Sequence, residues 1–192
     1  SLAGIAFYVV GYNLMYVDVP EGGYMGALSL LYNPSGDELA LINAEKASPE
    51  MVGKVIEGGY SVPSDWFFQM VFVATAASIV SGTVAERIKV WPFMIFVVVL
   101  AAVIYPIQAS WVWGGGWLNA MGFTDFAGST LVHSTGGWAA LTGAIILGAR
   151  SGKYGPDGSV KALPGANIPL ATLGTFILWF GYFVRLFSSV VF

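Results

Sequence analysis

The chain has 192 residues, of which 56% are hydrophobic and 10% charged, with a net charge of −3 and no cysteine. Soluble domains carry about 25% charged residues, so at a mean hydropathy of +0.72 the apolar excess must face lipid as well as a core. The acidic balance argues against nucleic acid as a partner, and the lack of cysteine excludes disulfides, thiol catalysis and cysteine metal sites.

Five apolar stretches follow in chain order, at about 2–17, 66–84, 91–113, 129–149 and 168–192. A membrane helix needs about 20 mostly apolar residues. Length and the near absence of internal charge select this reading, which periodicity alone could not. The expected fold class is therefore all-α membrane protein, a bundle of five transmembrane helices in the lipid bilayer. Both chain ends fall in or against apolar runs and are expected to be cuts through a longer protein.

The connectors carry the charge. Residues 18–65 form a long acidic loop, broken by Gly22-Gly23, Asn33-Pro34-Ser35-Gly36 and Gly58-Gly59. If every stretch spans, the 85–90 and 150–167 loops share one side, with Arg87, Lys89, Arg150, Lys153 and Lys161. The 18–65 and 114–128 loops share the other, with only Lys46 and Lys54. Lys and Arg in short loops mark the cytoplasmic side, so the 18–65 and 114–128 loops are expected outside. The acidic outer loop either concentrates cations or is simply solvated.

Helices in lipid associate through close contact of small residues. The second stretch offers Ala74, Ser78 and Gly82, and the fourth offers Gly136, Ala140, Ala144 and Gly148, both at spacing four. These stripes are expected to be the packing faces, and Pro106 is expected to kink the third helix.

His133, the only histidine, lies about one turn inside the fourth stretch. At 100° per residue it would share a face with Ala140, beside Gly136, and so point toward a packed neighbour. Ionisable groups within membrane helices usually face the bundle interior or a wet cavity. His133 is then either a pore residue or a structural histidine bonded across helices. Phe68 and Phe72, four apart, stack on one face near the outer end of the second helix. Trp111, Trp113 and Trp117 cluster where the third helix reaches that side. Together these rings read as a cage that attracts a small cation or as an interfacial aromatic belt. Asp125, four residues before Ser129, suits an N-cap of the fourth helix or electrostatic support for a nearby cation. Glu86 beside Arg87 reads as a local ion pair or a topology anchor in a tight turn. Ser134 beside His133 is a poor nucleophile–base pair, because adjacent helical residues point about 100° apart.

These residues fall in strings that resemble the Amt/Mep/Rh ammonium transporters in order and spacing. The strings are Phe68-Gln69-Met70-Val71-Phe72, Ala85-Glu86-Arg87-Ile88, Trp113-Gly114-Gly115-Gly116, Asp125-Phe126-Ala127-Gly128 and Val132-His133. The resemblance covers about residues 2–181. It implies an eleven-helix, trimeric transporter with one pore per subunit, of which this chain is a partial domain spanning the second to sixth helices. It implies ammonium or ammonia as substrate, with methylammonium as an analogue, in the inner or plasma membrane, with no enzymatic activity and no cofactor or metal. By resemblance, Trp113 is the outer-site tryptophan, Phe68 lies beside it and Phe72 is the upper gate. His133 is the first of two pore histidines, and Asp125 holds the outer site in shape. The second pore histidine belongs to a later helix. Arg185 stands where the family has its lower gate phenylalanine, so residues 182–192 read as a frame or assembly artefact, or else as a blocked-pore variant. The fragment itself is expected to be inactive. An ammonium sensor of the same family is the alternative function.

Overall fold

The computed structural model describes residues 2–34, 36–44, 46, 48–55 and 61–190, with side chains described for all of these except Ile42, Lys54 and 182–190. The Gly58-Gly59 break and the side chain of Arg185 lie outside the described residues.

The regular secondary structure among the described residues is helical, apart from one isolated antiparallel bridge between Tyr154 and Val160. We number the helices α1 Leu2–Tyr16, α2 Gly36–Ile42, α3 Pro49–Val55, α4 Val62–Val84, α5 Val90–Ser110, α6 Trp117–Ala120, α7 Ser129–Leu147 and α8 Ile168–Val190. Three of them, α4, α5 and α7, are long and apolar enough to cross a membrane, while α1 and the Ile168–Gly181 part of α8 are shorter apolar helices. Within the three candidate spans only 33%, 28% and 22% of the residues are buried by this chain. The remaining apolar surface, including Trp91 at 80% and Ile146 at 76% exposure, requires lipid or further protein against it. The chain is a membrane protein.

Residues 1–149 form one compact unit and 150–192 another. In the first, α1 packs against α4 and α5 around Phe7, Met15, Leu100 and Tyr105, all completely buried. Two wide π-helical turns meet there, Phe7–Gly11 in α1 and Leu100–Ile104 in α5. A Cβ at Gly11 would lie 2.6 Å from the Ala101 carbonyl oxygen and 3.0 Å from Pro106, so only glycine permits this approach. The disturbance expected at Pro106 thus takes the form of a widened turn before it. The proline ring crowds the carbonyl four residues earlier, and an extra residue in that turn moves the carbonyl aside.

The α4–α7 contact corrects the expected small-residue stripes. Ser78 and Gly82 are exposed, and α4 instead buries Gln69, Val73, Ala76, Ala77, Val80 and Val84. On α7, Gly136 and Ala140 do face this contact, and a Cβ on Gly136 would meet the Ala76 carbonyl oxygen at 3.0 Å. Gly148, with φ +70°, lies beyond the helix as its C-cap. One glycine is enough to bring the backbones together, and Ile79 of the facing helix fills the space beside it. Lipid tails are as apolar as valine, so the gain here is close packing and not the removal of water.

At one end of this unit the Arg87 guanidinium ties two helix ends together. Its Nη1 donates to the Gly148 carbonyl at 2.5 Å and its Nη2 to the Thr83 carbonyl. The described bonds of Arg87 thus satisfy C-terminal carbonyls of α4 and α7, with a cation at the negative ends of both dipoles. In the connector after α1, Asn13 Nδ2 holds Ser29 Oγ at 2.7 Å and the Leu31 carbonyl at 2.8 Å. Tyr32 donates to Glu38 at 2.6 Å, and burial followed by that carboxylate holds the phenol above the usual tyrosine range.

In the second unit, the Tyr154–Val160 bridge closes a tight turn. Asp157 accepts from the Ser159 backbone N–H at 3.0 Å and hydroxyl at 2.6 Å, which holds its carboxyl below the usual aspartate range. Asn167 Oδ1 accepts from the Leu170 N–H at 2.9 Å and caps α8.

Candidate functional site

Four of the residues singled out by sequence form one continuous contact chain at the end of the bundle where α4 and α7 begin and α5 ends. Phe68 and Phe72, one turn apart on α4, meet edge to face with centroids 4.8 Å apart. Phe72 then meets Trp113 at 5.6 Å with the rings tilted by 37°. Trp113 lies just past α5, where the chain leaves the helix through Gly114-Gly115-Gly116. Its indole N–H donates to the backbone carbonyl of Asp125 at 2.6 Å. The indole is thus fixed by a polar bond at one edge and offers its face to Phe72.

The Asp125 side chain faces the other way. Oδ1 accepts from the N–H groups of Gly128 at 2.8 Å and Ser129 at 3.2 Å, and Oδ2 from those of Thr130 at 2.9 Å and Leu131 at 2.8 Å. One carboxylate therefore takes up four N–H groups at the start of α7, more than an N-cap residue reaches, and places its negative charge at the positive end of the dipole. It does so from three residues before Gly128, which occupies the N-cap position itself. Asp125 is 7% exposed, so these bonds also compensate the burial of its charge. Gly128 has φ +82°, and a Cβ there would lie 2.7 Å from Val132 Cγ2 and 3.2 Å from Trp113, so the turn and the indole both require glycine.

His133 occupies a different position from the one its spacing suggested. The first turns of α7, Ser129–Ser134, are π-helical, and the His133 N–H reaches back five residues to the Gly128 carbonyl at 3.0 Å. A π turn holds more residues than an α turn, so it resets the phase between His133 and the residues after it. Gly136 and Ala140 face α4, while His133 is exposed on this chain. The expectation that His133 shares their packed face is corrected. Its Nδ1 lies 3.3 Å from the Gly128 carbonyl oxygen. A carbonyl can only accept, so where this contact is a hydrogen bond Nδ1 is its donor.

The three tryptophans do not form one cluster. Trp111 donates to the Tyr24 carbonyl at 2.8 Å and meets Trp117 at 5.7 Å, and Trp117 meets Tyr24 at 6.0 Å. Trp113 alone joins the phenylalanines, because the last turn of α5 directs residues two apart to different sides.

Sequence reasoning passed over two residues beside this chain of contacts. Asp65, counted as one charge of an acidic loop, lies within α4 and accepts from the Tyr12 hydroxyl at 3.1 Å. Gln69, read only as part of a string, is 7% exposed. The spacing of Asp65 and Gln69, four apart and flanking Phe68, was the available signal. Among the described residues no three His, Cys, Asp or Glu side chains come together as a metal site would require.

Comparison with known proteins supplies the context for this geometry. The family model described as Ammonium Transporter Family matches residues 1–185. The ammonium transporter Amt2 of Archaeoglobus fulgidus is 51% identical over 128 residues, covering 62% of this chain and 27% of that protein. An ammonium transporter of Aquifex aeolicus is 39% identical over 138 residues, 69% of this chain and 31% of that one. The crystal structure of Candida albicans Mep2 superposes with a TM-score of 0.67 at 26% identity, covering 94% of this chain and 36% of that one. The chain thus spans roughly a third of the length of the proteins it matches.

Proposed function

The chain belongs to the ammonium transporter family, and from that premise we propose that the full protein carries ammonium or ammonia across a membrane, with Phe68, Phe72 and Trp113 as the recruiting mouth. The observation that carries the reading is the ring pair of Phe72 and Trp113, 5.6 Å apart, with the indole anchored to Asp125. A bare ammonium ion pays a large desolvation cost on entering hydrocarbon. Fixed aromatic faces in a water-poor mouth offset part of that cost by cation–π attraction, about 2 kcal/mol when desolvated. Asp125 acts through Trp113 and α7 as a positioning residue, since all four of its described side-chain bonds go to backbone N–H groups.

His133 then stands further along the passage. Its imidazole would offer a ring nitrogen to the substrate as a hydrogen-bond partner. Its exposure on this chain is what a passage formed with later helices calls for. The 18–65 and 114–128 loops lie outside, and the 85–90 and 150–167 loops inside, by their Lys and Arg. The full protein is a homotrimer in the cell membrane. The described helices cover roughly a third of the length of the relatives, so the 192-residue chain alone does not form a working passage.

The test is methylammonium uptake by the full-length protein. Trp113→Leu should weaken competition by ammonium by roughly 5- to 30-fold, as loss of 1–2 kcal/mol of cation–π attraction implies. An unchanged concentration dependence would return these rings to an aromatic belt.

A further inference from the structure

The connector between α7 and α8 carries a short hairpin whose two ends differ in charge. Tyr154 and Val160 form its antiparallel bridge. The Gly155 N–H donates to the Ser159 carbonyl at 2.8 Å, and the Lys161 N–H to the Lys153 carbonyl at 2.9 Å. Lys153 and Lys161 therefore stand directly opposite each other at the open end, where the chain arrives from α7 and leaves for α8. Residues so opposed share one face, with Cβ atoms about 5 Å apart. The closed end turns through Pro156-Asp157-Gly158, and Asp157 is folded back onto Ser159 by its bonds at 3.0 and 2.6 Å. The negative charge is thus fixed at the tip and two positive charges at the base.

Like charges directly opposite each other destabilise a pair of strands. Among the described residues neither lysine has a carboxylate partner, since the Asp157 carboxylate is taken up by Ser159. An anion between the two ammonium groups relieves that repulsion. The position of the hairpin narrows the choice of anion. Residues 148–152 and 162–167 are the only links from the lysines to α7 and α8, so the base of the hairpin stays close to the membrane that these helices enter. On the other face of the ribbon Tyr154 and Val160 are 62% and 63% exposed, a pair better placed among headgroups than in water. A phospholipid phosphate offers two free oxygens, one for each lysine, in charge-assisted hydrogen bonds. A choline headgroup brings its own cation against the lysines, so a headgroup of net negative charge is favoured.

We propose that Lys153 and Lys161 form a two-pronged site for the phosphate of an anionic phospholipid at the membrane surface, with Asp157 holding the tip of the hairpin away from the headgroups. The assignment to the inner leaflet, where the surface potential is negative, rests on the orientation proposed above for the 150–167 loop. The pairing of the lysines does not depend on it.

The experiment uses full-length protein in phosphatidylcholine nanodiscs, with a fluorophore on a single cysteine at Ser151, an exposed position near the base of the hairpin. Trace phosphatidylglycerol or phosphatidylcholine, spin-labelled near the glycerol, serves as quencher. Nanodiscs expose both faces, so an inverted topology leaves the result unchanged and is detected only by side-specific labelling of cells. The protein with both lysines intact should be quenched by phosphatidylglycerol at a fraction at least about fivefold lower than by phosphatidylcholine, since a lysine at an anionic surface contributes roughly that factor. Lys153→Gln with Lys161→Gln, which leaves the backbone bonds of the hairpin in place, should abolish the preference. Lys161→Arg, which keeps the charge, should retain it. Equal quenching by the two lipids with both lysines intact, or a preference that survives the double glutamine variant, would show the lysines to be merely solvated and overturn the site. Loss of the preference on adding inorganic phosphate at constant ionic strength would assign the pair to a soluble anion instead.

Discussion

Trp113 and Asp125 hold each other through opposite ends of one residue: the indole N–H donates to the Asp125 carbonyl at 2.6 Å, while the Asp125 carboxylate takes up four N–H groups at the start of α7. The position of the tryptophan and the start of the histidine-bearing helix are therefore one structural unit.

This coupling predicts the effect of Asp125→Asn. The amide retains one oxygen for two of the four N–H groups and turns a donor toward the other two. Loss of the charge and of half the cap should destabilise the protein by on the order of 2 kcal/mol, the upper range for a capping residue. Thermal unfolding in detergent measures this. Trp113 fluorescence, in a protein whose other tryptophans are replaced by phenylalanine, should shift in the same variant. A shift in neither would sever the proposed link.

Gly128→Ala tests the turn from the opposite side. It places a side chain at φ +82° and against Val132 and Trp113. The backbone strain alone is about 1–2 kcal/mol, and the close contacts add to it. Stability equal to wild type would show that the turn can reorganise, and that the indole does not depend on it.

His133→Ala, in the full-length protein, should change flux or ion selectivity while the protein still assembles, because His133 is exposed where Gly136 and Ala140 face α4. Uptake of methylammonium and the current carried at fixed ammonium concentration are the measurements. Transport with wild-type rate and selectivity would leave His133 a structural residue.

Orientation follows from the five-to-two bias of Lys and Arg between the two sets of loops. Single cysteines placed at Lys46 and Lys153 should react with an impermeant reagent from opposite sides of intact cells, the first from outside. Labelling of both from outside would reverse or break the topology.

The 192-residue chain, reconstituted alone in liposomes, should acidify or alkalinise the lumen after an ammonium pulse no faster than protein-free vesicles do. A faster response that His133→Ala abolishes would show that these helices suffice for a passage.

The sequence by itself determined the class of protein. Charge content, the lengths of the apolar runs and the ordered strings around Phe72, Trp113, Asp125 and His133 are properties of composition and spacing, and they lead to a helical membrane protein of the ammonium transporter family. Which faces meet was decided only by the tertiary structure. A stripe such as Ala74, Ser78 and Gly82 shows that a close approach is possible, while the presence of a neighbour depends on the other helices, and here the contact forms on Ala76, Ile79, Val80 and Val84 instead. The phase of His133 was equally hidden, because a periodicity of 3.6 assumes an unbroken α-helix and the π turn at Ser129–Ser134 resets it. The bond of Arg87 to the Gly148 carbonyl and that of Tyr12 to Asp65 emerge only once distant segments have come together. Hydrogen bonds are directional over about 3 Å, and one-dimensional spacing carries no information on that scale across separate helices.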